Sequence, residues 1–105
     1  MQAEVRLSEE AIRQLEKICE YIASNSPHNA LRWLKKIRVA IDALGKYPEV
    51  HAVIYTREQA GREVRQTFYG TYRILYEIQG DAVYVLTVRH GARRPIGPAE
   101  VACIE

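Results

Sequence analysis

The chain has 105 residues, 48% hydrophobic and 27% charged, with a net charge of +2. That suits one domain over residues 1–105 with one core, and it gives little bulk attraction to nucleic acid. No run of about 18 apolar residues occurs, so no membrane partner is expected, and the start MQAEVRLSEE lacks the basic and apolar regions of a signal peptide, so the expected location is cytoplasmic.

Cys19 and Cys103 are too few and too far apart in pattern for a disulfide framework or a zinc site. Neither a metal nor another cofactor is expected, and both thiols should be reduced. The positive charge is mostly arginine, eleven of fifteen basic residues. Arginine is favoured where planar, bidentate contacts to phosphate or carboxylate are made.

Glu4 to Leu7 alternates polar and apolar, as a short strand does. Ser8 is a helix N-cap, followed by Glu9 and Glu10 at the positive end of the dipole. Ala11, Ile12, Leu15, Ile18, Cys19 and Ile22 then form one apolar stripe, and the helix should stop near Asn25. Ser26-Pro27 opens a second helix whose stripe is Ala30, Leu34, Ile37, Ile41 and Leu44, with Gly45 and Pro48 ending it. The short link makes the pair an antiparallel hairpin. Lys35, Lys36 and Arg38 lie off the stripe on a solvated face. Trp33 lies off it too, either flanking the core or anchoring a partner. Residues 46–62 read as a connecting loop with a short strand near Ala52 to Tyr55, and His51 in it reads either as a functional base or, as is usual for a lone loop histidine, as an exposed residue.

Glu63 to Arg94 organises the rest. Three alternating strands are predicted, separated by turns at Tyr69-Gly70-Thr71 and Gln79-Gly80-Asp81. The last strand is apolar on both faces and should be internal. Three-residue turns would pair Phe68 with Tyr72 and Ile78 with Ala82. All even-numbered residues from Val64 to Val88 would then face the helices. Arg65, Arg73 and Arg89 would converge on the opposite face, with Glu63 and Glu77 partly neutralising them. The fold class is therefore α+β, an N-terminal helical hairpin packed on a small antiparallel β-sheet. In the tail, Gly97-Pro98 breaks the strand, and Ala99 to Ile104 forms a brief strand or turn, or binds a partner.

The succession of a helical hairpin, an Arg-bearing strand, GTYRILYEI, a Gly-Asp turn and VYVLTVRHGARR resembles the RelE/ParE superfamily of bacterial type II toxins, over almost the whole chain. The resemblance implies a toxin neutralised by a cognate antitoxin that covers its basic face. It also implies one of two mechanisms. ParE-like members inhibit DNA gyrase. RelE-like members cleave mRNA in the ribosome, which requires a base for the 2′-OH, cations for the phosphorane and an acid for the leaving oxygen. Arg73 falls on the Arg of the family's YRxxY pattern, and Arg93 falls in its terminal basic cluster. This chain has Val64 and Gln66 where RelE-like strands carry lysines, and no Tyr after Arg94. These departures make the chain ParE-like more than RelE-like. Arg65, Arg73, Arg89, His90, Arg93 and Arg94 are the expected target- or antitoxin-binding residues. No catalytic set is expected unless the chain is a nuclease, in which case Arg73, His90 and Arg93 are the candidates, with Arg65 and Arg89 as further cations.

Overall fold

The structure, a computed structural model, describes residues 2–105. Strand β1 (Glu4–Leu7) leads into helix α1 (Glu9–Ala23) and helix α2 (Pro27–Asp42). Two single 3-10 turns, Ala43–Gly45 and Pro48–Val50, precede β2 (Val53–Tyr55) and the short helix α3 (Arg57–Ala60). Then come β3 (Val64–Tyr69), β4 (Tyr72–Gln79), β5 (Ala82–His90) and α4 (Pro98–Ala102). One five-stranded sheet results, in the order β1-β5-β4-β3-β2. The pairing is antiparallel except for β1, which runs parallel to β5. The α+β class and the helical hairpin stand as expected, and β5 is internal.

The helix starts obey local chemistry. The Ser8 hydroxyl accepts from the Ala11 N–H at 2.9 Å, and Ser26 accepts from Asn29 at 3.2 Å. Pro27 occupies the first helical position, where no N–H is needed. Ala11 and Leu15 of α1 and Ala30, Ile37 and Ile41 of α2 are buried. Trp33 flanks this core, its ring edge-on to Tyr72 at 5.1 Å. Lys35, Lys36 and Arg38 are solvated. The loop is more ordered than its sequence indicates. It holds α3, whose Thr56 N-cap is closed reciprocally by Gln59, as well as the three-residue β2.

The turns correct the expected register. Each hairpin closes with two residues rather than three: Tyr69 pairs Tyr72 across Gly70-Thr71, and Gln79 pairs Ala82 across Gly80-Asp81. Gly70 and Gly80 take φ of 56° and 62°. Glycine is the residue for the first position of such a tight turn, whose twist matches that of the strands. A slip of one residue moves every side chain to the other face. Hence Arg65, Thr67 and Tyr69 of β3 share a face with Tyr76, Ile74 and Tyr72 of β4.

A second shift follows. The β4–β5 register changes between Leu75 and Tyr76, because Leu75 pairs Thr87 while Tyr76 pairs Val85. Leu86 is the extra residue of a β-bulge. Ser8 closes this irregularity: its N–H donates to the Val85 carbonyl at 2.9 Å and its hydroxyl to the Leu86 carbonyl at 2.6 Å.

The helices therefore cover Ile74, Tyr76, Val83, Val85 and Val88 rather than all the even-numbered residues. Val64 and Leu86, expected beneath the helices, instead build a second small core with Leu75 on the other face of the sheet. Ala60 of α3, Ile96 and Val101 of α4 close it. The tail is thus an internal packing element. The Tyr55 hydroxyl donates to the Ile96 carbonyl at 2.6 Å, and that of Tyr84 to the Glu105 carbonyl at 2.7 Å. Among the described residues no helix is long and apolar enough to cross a membrane. Cys19 and Cys103 are free thiols.

Candidate functional site

The two register shifts sort the six arginine and histidine candidates. Beyond the bulge they cancel, so Arg73 lies directly opposite Arg89, and Phe68 lies opposite Arg73 on its other side. All three side chains stand on the sheet face away from α1 and α2. The Arg73 guanidinium carbon sits 5.6 Å from the centroid of the Phe68 ring. That ring, expected in the core, is 57% exposed. Like charges facing each other across a strand pair are unfavourable. The Phe68 ring offsets part of that cost for Arg73.

Both guanidiniums are unusual in their bonding. Nε of Arg73 and Nε of Arg89 are each buried with no hydrogen-bond partner. Neither arginine forms an ion pair among the described residues. Glu77, one of the expected neutralising groups, is instead turned to Arg62 at 3.5 Å and to Gln79 at 2.7 Å. A buried donor without an acceptor costs about 1–3 kcal/mol. With Nε covered, the terminal Nη groups of the two arginines are the ones that can meet a carboxylate or phosphate.

Arg65 does not join them, which corrects the expected convergence of three arginines. The two-residue turn puts it on the helix face, where Nη1 donates to the carbonyls of Glu49 at 2.9 Å and His51 at 2.8 Å. Nη2 reaches Glu63 at 3.3 Å. Arg65 therefore pins the loop before β2. His51 packs edge-on against Tyr76, ring centres 6.2 Å apart, and is partly covered rather than exposed.

His90 also leaves the arginine face. It lies opposite Tyr72 on the helix side, rings edge-on at 5.1 Å. Its Nδ1 accepts the Ala92 N–H at 3.0 Å, so the neutral ring carries its proton on Nε2, which lies 3.4 Å from the Thr71 hydroxyl. Arg93 lies with His90 in a cleft against α1. Arg94 is turned to the tail and pairs with Glu100 at 3.3 Å. Glu100 in turn accepts from the Gly97 N–H, which holds its carboxyl below the usual range, with Arg94 and Arg89 adding to the effect.

The expected set thus divides into three groups. Arg73 and Arg89 form the open cationic face, His90 and Arg93 occupy a separate cleft, and Arg65 and Arg94 make internal contacts. Phe68 is the residue that sequence reading passed over. Its alternation with Thr67 and Tyr69 was legible, but which face it took depended on the turn. Among the described residues no group of His, Cys, Asp or Glu is arranged to hold a metal.

The fold is thus a helical hairpin on a five-stranded sheet whose other face carries Arg73, Arg89 and the exposed Phe68 ring. The family described as ParE toxin of type II toxin-antitoxin system, parDE, matches residues 5–95. The chain belongs to that family. In fold it is similar to a chain of the chromosomal ParDE toxin-antitoxin system from P. aeruginosa, with TM-score 0.70, 15% identity, and coverage of 85% of this chain and 96% of that one. It is also similar to a chain of the toxin-antitoxin complex RelBE2 from Mycobacterium tuberculosis, with TM-score 0.62, 24% identity, and coverage of 86% and 99%. No curated protein matches.

Proposed function

We propose that this toxin arrests growth by binding an essential target, DNA gyrase, and that a cognate antitoxin neutralises it by laying an acidic segment across Arg73 and Arg89. The observation that carries this reading is the pair of guanidiniums without ion-pair partners among the described residues, beside an exposed aromatic ring, with the histidine candidate His90 on the other face of the sheet. Cleavage of RNA needs base, cation and acid together around one phosphate. Here His90 lies on the opposite face of the sheet from the arginines. Tyr55 and Tyr84, which share the second core with the tail, spend their hydroxyls on backbone carbonyls. Two arginines with His90 on the far face and both nearby tyrosine hydroxyls engaged favour binding over catalysis.

A second reading, a ribosome-dependent mRNA endonuclease, draws on the exposed Phe68 ring next to Arg73, since a base can stack there while a phosphate meets the guanidinium. Inducing the chain alone in bacteria separates the two. Lost supercoiling by purified gyrase, with intact transcripts, supports the first reading. Cleavage within translated codons, abolished by Arg73→Ala, replaces it with the second. Undisturbed growth counts against both. Co-expression of the neighbouring small open reading frame should restore growth and yield a complex that Arg73→Ala weakens.

A further inference from the structure

The cleft that holds His90 and Arg93 has no part in the reading above, and its lining is chemically one-sided. Gln14, Lys17, Ile18 and Tyr21 face it from α1, at the i, i+3, i+4, i+7 spacing of one helix face. Tyr72, His90 and Arg93 close it from the end of the sheet. The cavity measures about 480 Å³, and no Asp or Glu lines it. Lys17 and Arg93 are both exposed and make no ion pair among the described residues. The Tyr21 ring is 76% exposed. Behind it runs a fixed aromatic series: Trp33 edge-on to Tyr72, and Tyr72 edge-on to His90, each at 5.1 Å.

We propose that this cleft is a second binding site, separate from Arg73 and Arg89, that takes a nucleoside phosphate. The phosphate meets Lys17, Arg93 and the Nε2 proton of His90, and the planar base lies on the Tyr21 ring. Two cations and an imidazole N–H suit a multiply charged oxyanion better than a lone carboxylate. A base gains from stacking on any exposed aromatic ring, whatever its identity. An extended peptide fits less well, because the backbone groups at this corner are already used. The Gly91 N–H donates to the Thr71 carbonyl at 2.6 Å, the Ala92 N–H to His90 Nδ1, and the Arg93 N–H to the His90 carbonyl at 3.1 Å. The nucleoside phosphate is either free or one unit of a single strand, and both sources present the same chemistry.

Trp33 is the only tryptophan of the chain and packs on the inner side of Tyr72, so its emission reports on the cleft. The test titrates the purified chain with adenosine monophosphate, adenosine, a short single-stranded oligonucleotide and an acidic peptide, followed by Trp33 fluorescence and by calorimetry. Saturable binding of the nucleotide but not of adenosine is expected. Lys17→Glu and Arg93→Glu should each weaken it about tenfold or more, as loss of a charge-assisted contact implies, while Lys35→Ala on the solvated face of α2 leaves it unchanged. Tighter binding of the oligonucleotide assigns the source as a strand, and equal binding per site assigns it as free nucleotide. Three results overturn the proposal. One is silence of both measurements at millimolar nucleotide. Another is saturation by the acidic peptide alone. The third is loss of nucleotide binding in Arg73→Ala with retention in Lys17→Glu, which moves the site to the other face. None of these results depends on whether gyrase is the target, because the readout is direct binding.

Discussion

Ser8 joins three demands in one side chain. It caps α1, closes the bulge at Leu86 and is only 1% exposed. Ser8→Ala leaves a buried carbonyl and a helix N–H without partners, and should cost about 1–3 kcal/mol in a urea titration. Tyr76 is fully buried, with its hydroxyl on the Pro48 carbonyl at 2.5 Å, and burial pushes the phenol up to about 12. The folded state therefore holds this proton more tightly than the unfolded chain. Its contribution is complete below the ordinary phenol value of about 10 and disappears as pH rises through about 12. Denaturation midpoints should fall between pH 10 and 12, and Tyr76→Phe should flatten that fall while losing the hydrogen bond at neutral pH. An unaltered slope in the phenylalanine variant would assign the alkaline loss to other groups. Arg65→Ala belongs with these two residues. It frees the loop carbonyls of Glu49 and His51, and its effect should appear in the melting temperature rather than in partner binding.

At the level of elements, the helices were readable because their stripes and caps are local. Ser8, Ser26 and Pro27 mark the starts, and Ala11, Leu15, Ile37 and Ile41 are the buried positions that the 3.6-residue period picks out. The strands were readable as segments, but not in their pairing. Gly70 and Gly80 are compatible with two- or three-residue turns by composition, and the choice between these flips a strand. The bulge at Leu86 carries no mark in the sequence, because an apolar residue suits either face of an internal strand. The tail was the least legible. Val101 lies wholly buried against Ala60, Val64 and Leu86, contacts made across the chain and not along it. Val101→Ala should lower unfolding free energy by about 1–3 kcal/mol, measured by chemical denaturation, although α4 is one short helix at the end of the chain. A neutral outcome would mean that α4 is only loosely docked.

For the whole molecule, the sheet separates two cationic surfaces. One carries Arg73, Arg89 and Phe68, and the other carries Lys17, His90 and Arg93. An acidic antitoxin segment on the first surface should bind with an affinity that falls as salt rises. Arg73→Ala and Arg89→Ala should each remove about 1.5–3 kcal/mol of it, the worth of a hydrogen bond to a charged group, in a calorimetric titration. Equal affinities for both variants and the unaltered chain would place the antitoxin elsewhere. Arg94, expected on the same surface, should matter less because Glu100 already engages it.

The sequence by itself determined the α+β class, the helical hairpin, the internal position of β5 and the resemblance to RelE/ParE toxins. All of these rest on local periodicity, capping and motif order, which neighbouring residues encode directly. Only the tertiary structure decided which candidates stand together. Arg65 was separated from Arg73 by a turn one residue shorter than expected. Arg89 was set directly opposite Arg73, instead of diagonal to it, by the added shift of the Leu86 bulge. His90 was held on the helix side by its pairing with Tyr72. The physical reason is the two-residue period of a strand: one residue gained or lost in a turn or bulge exchanges the faces, and that choice is made by packing between segments far apart in the chain.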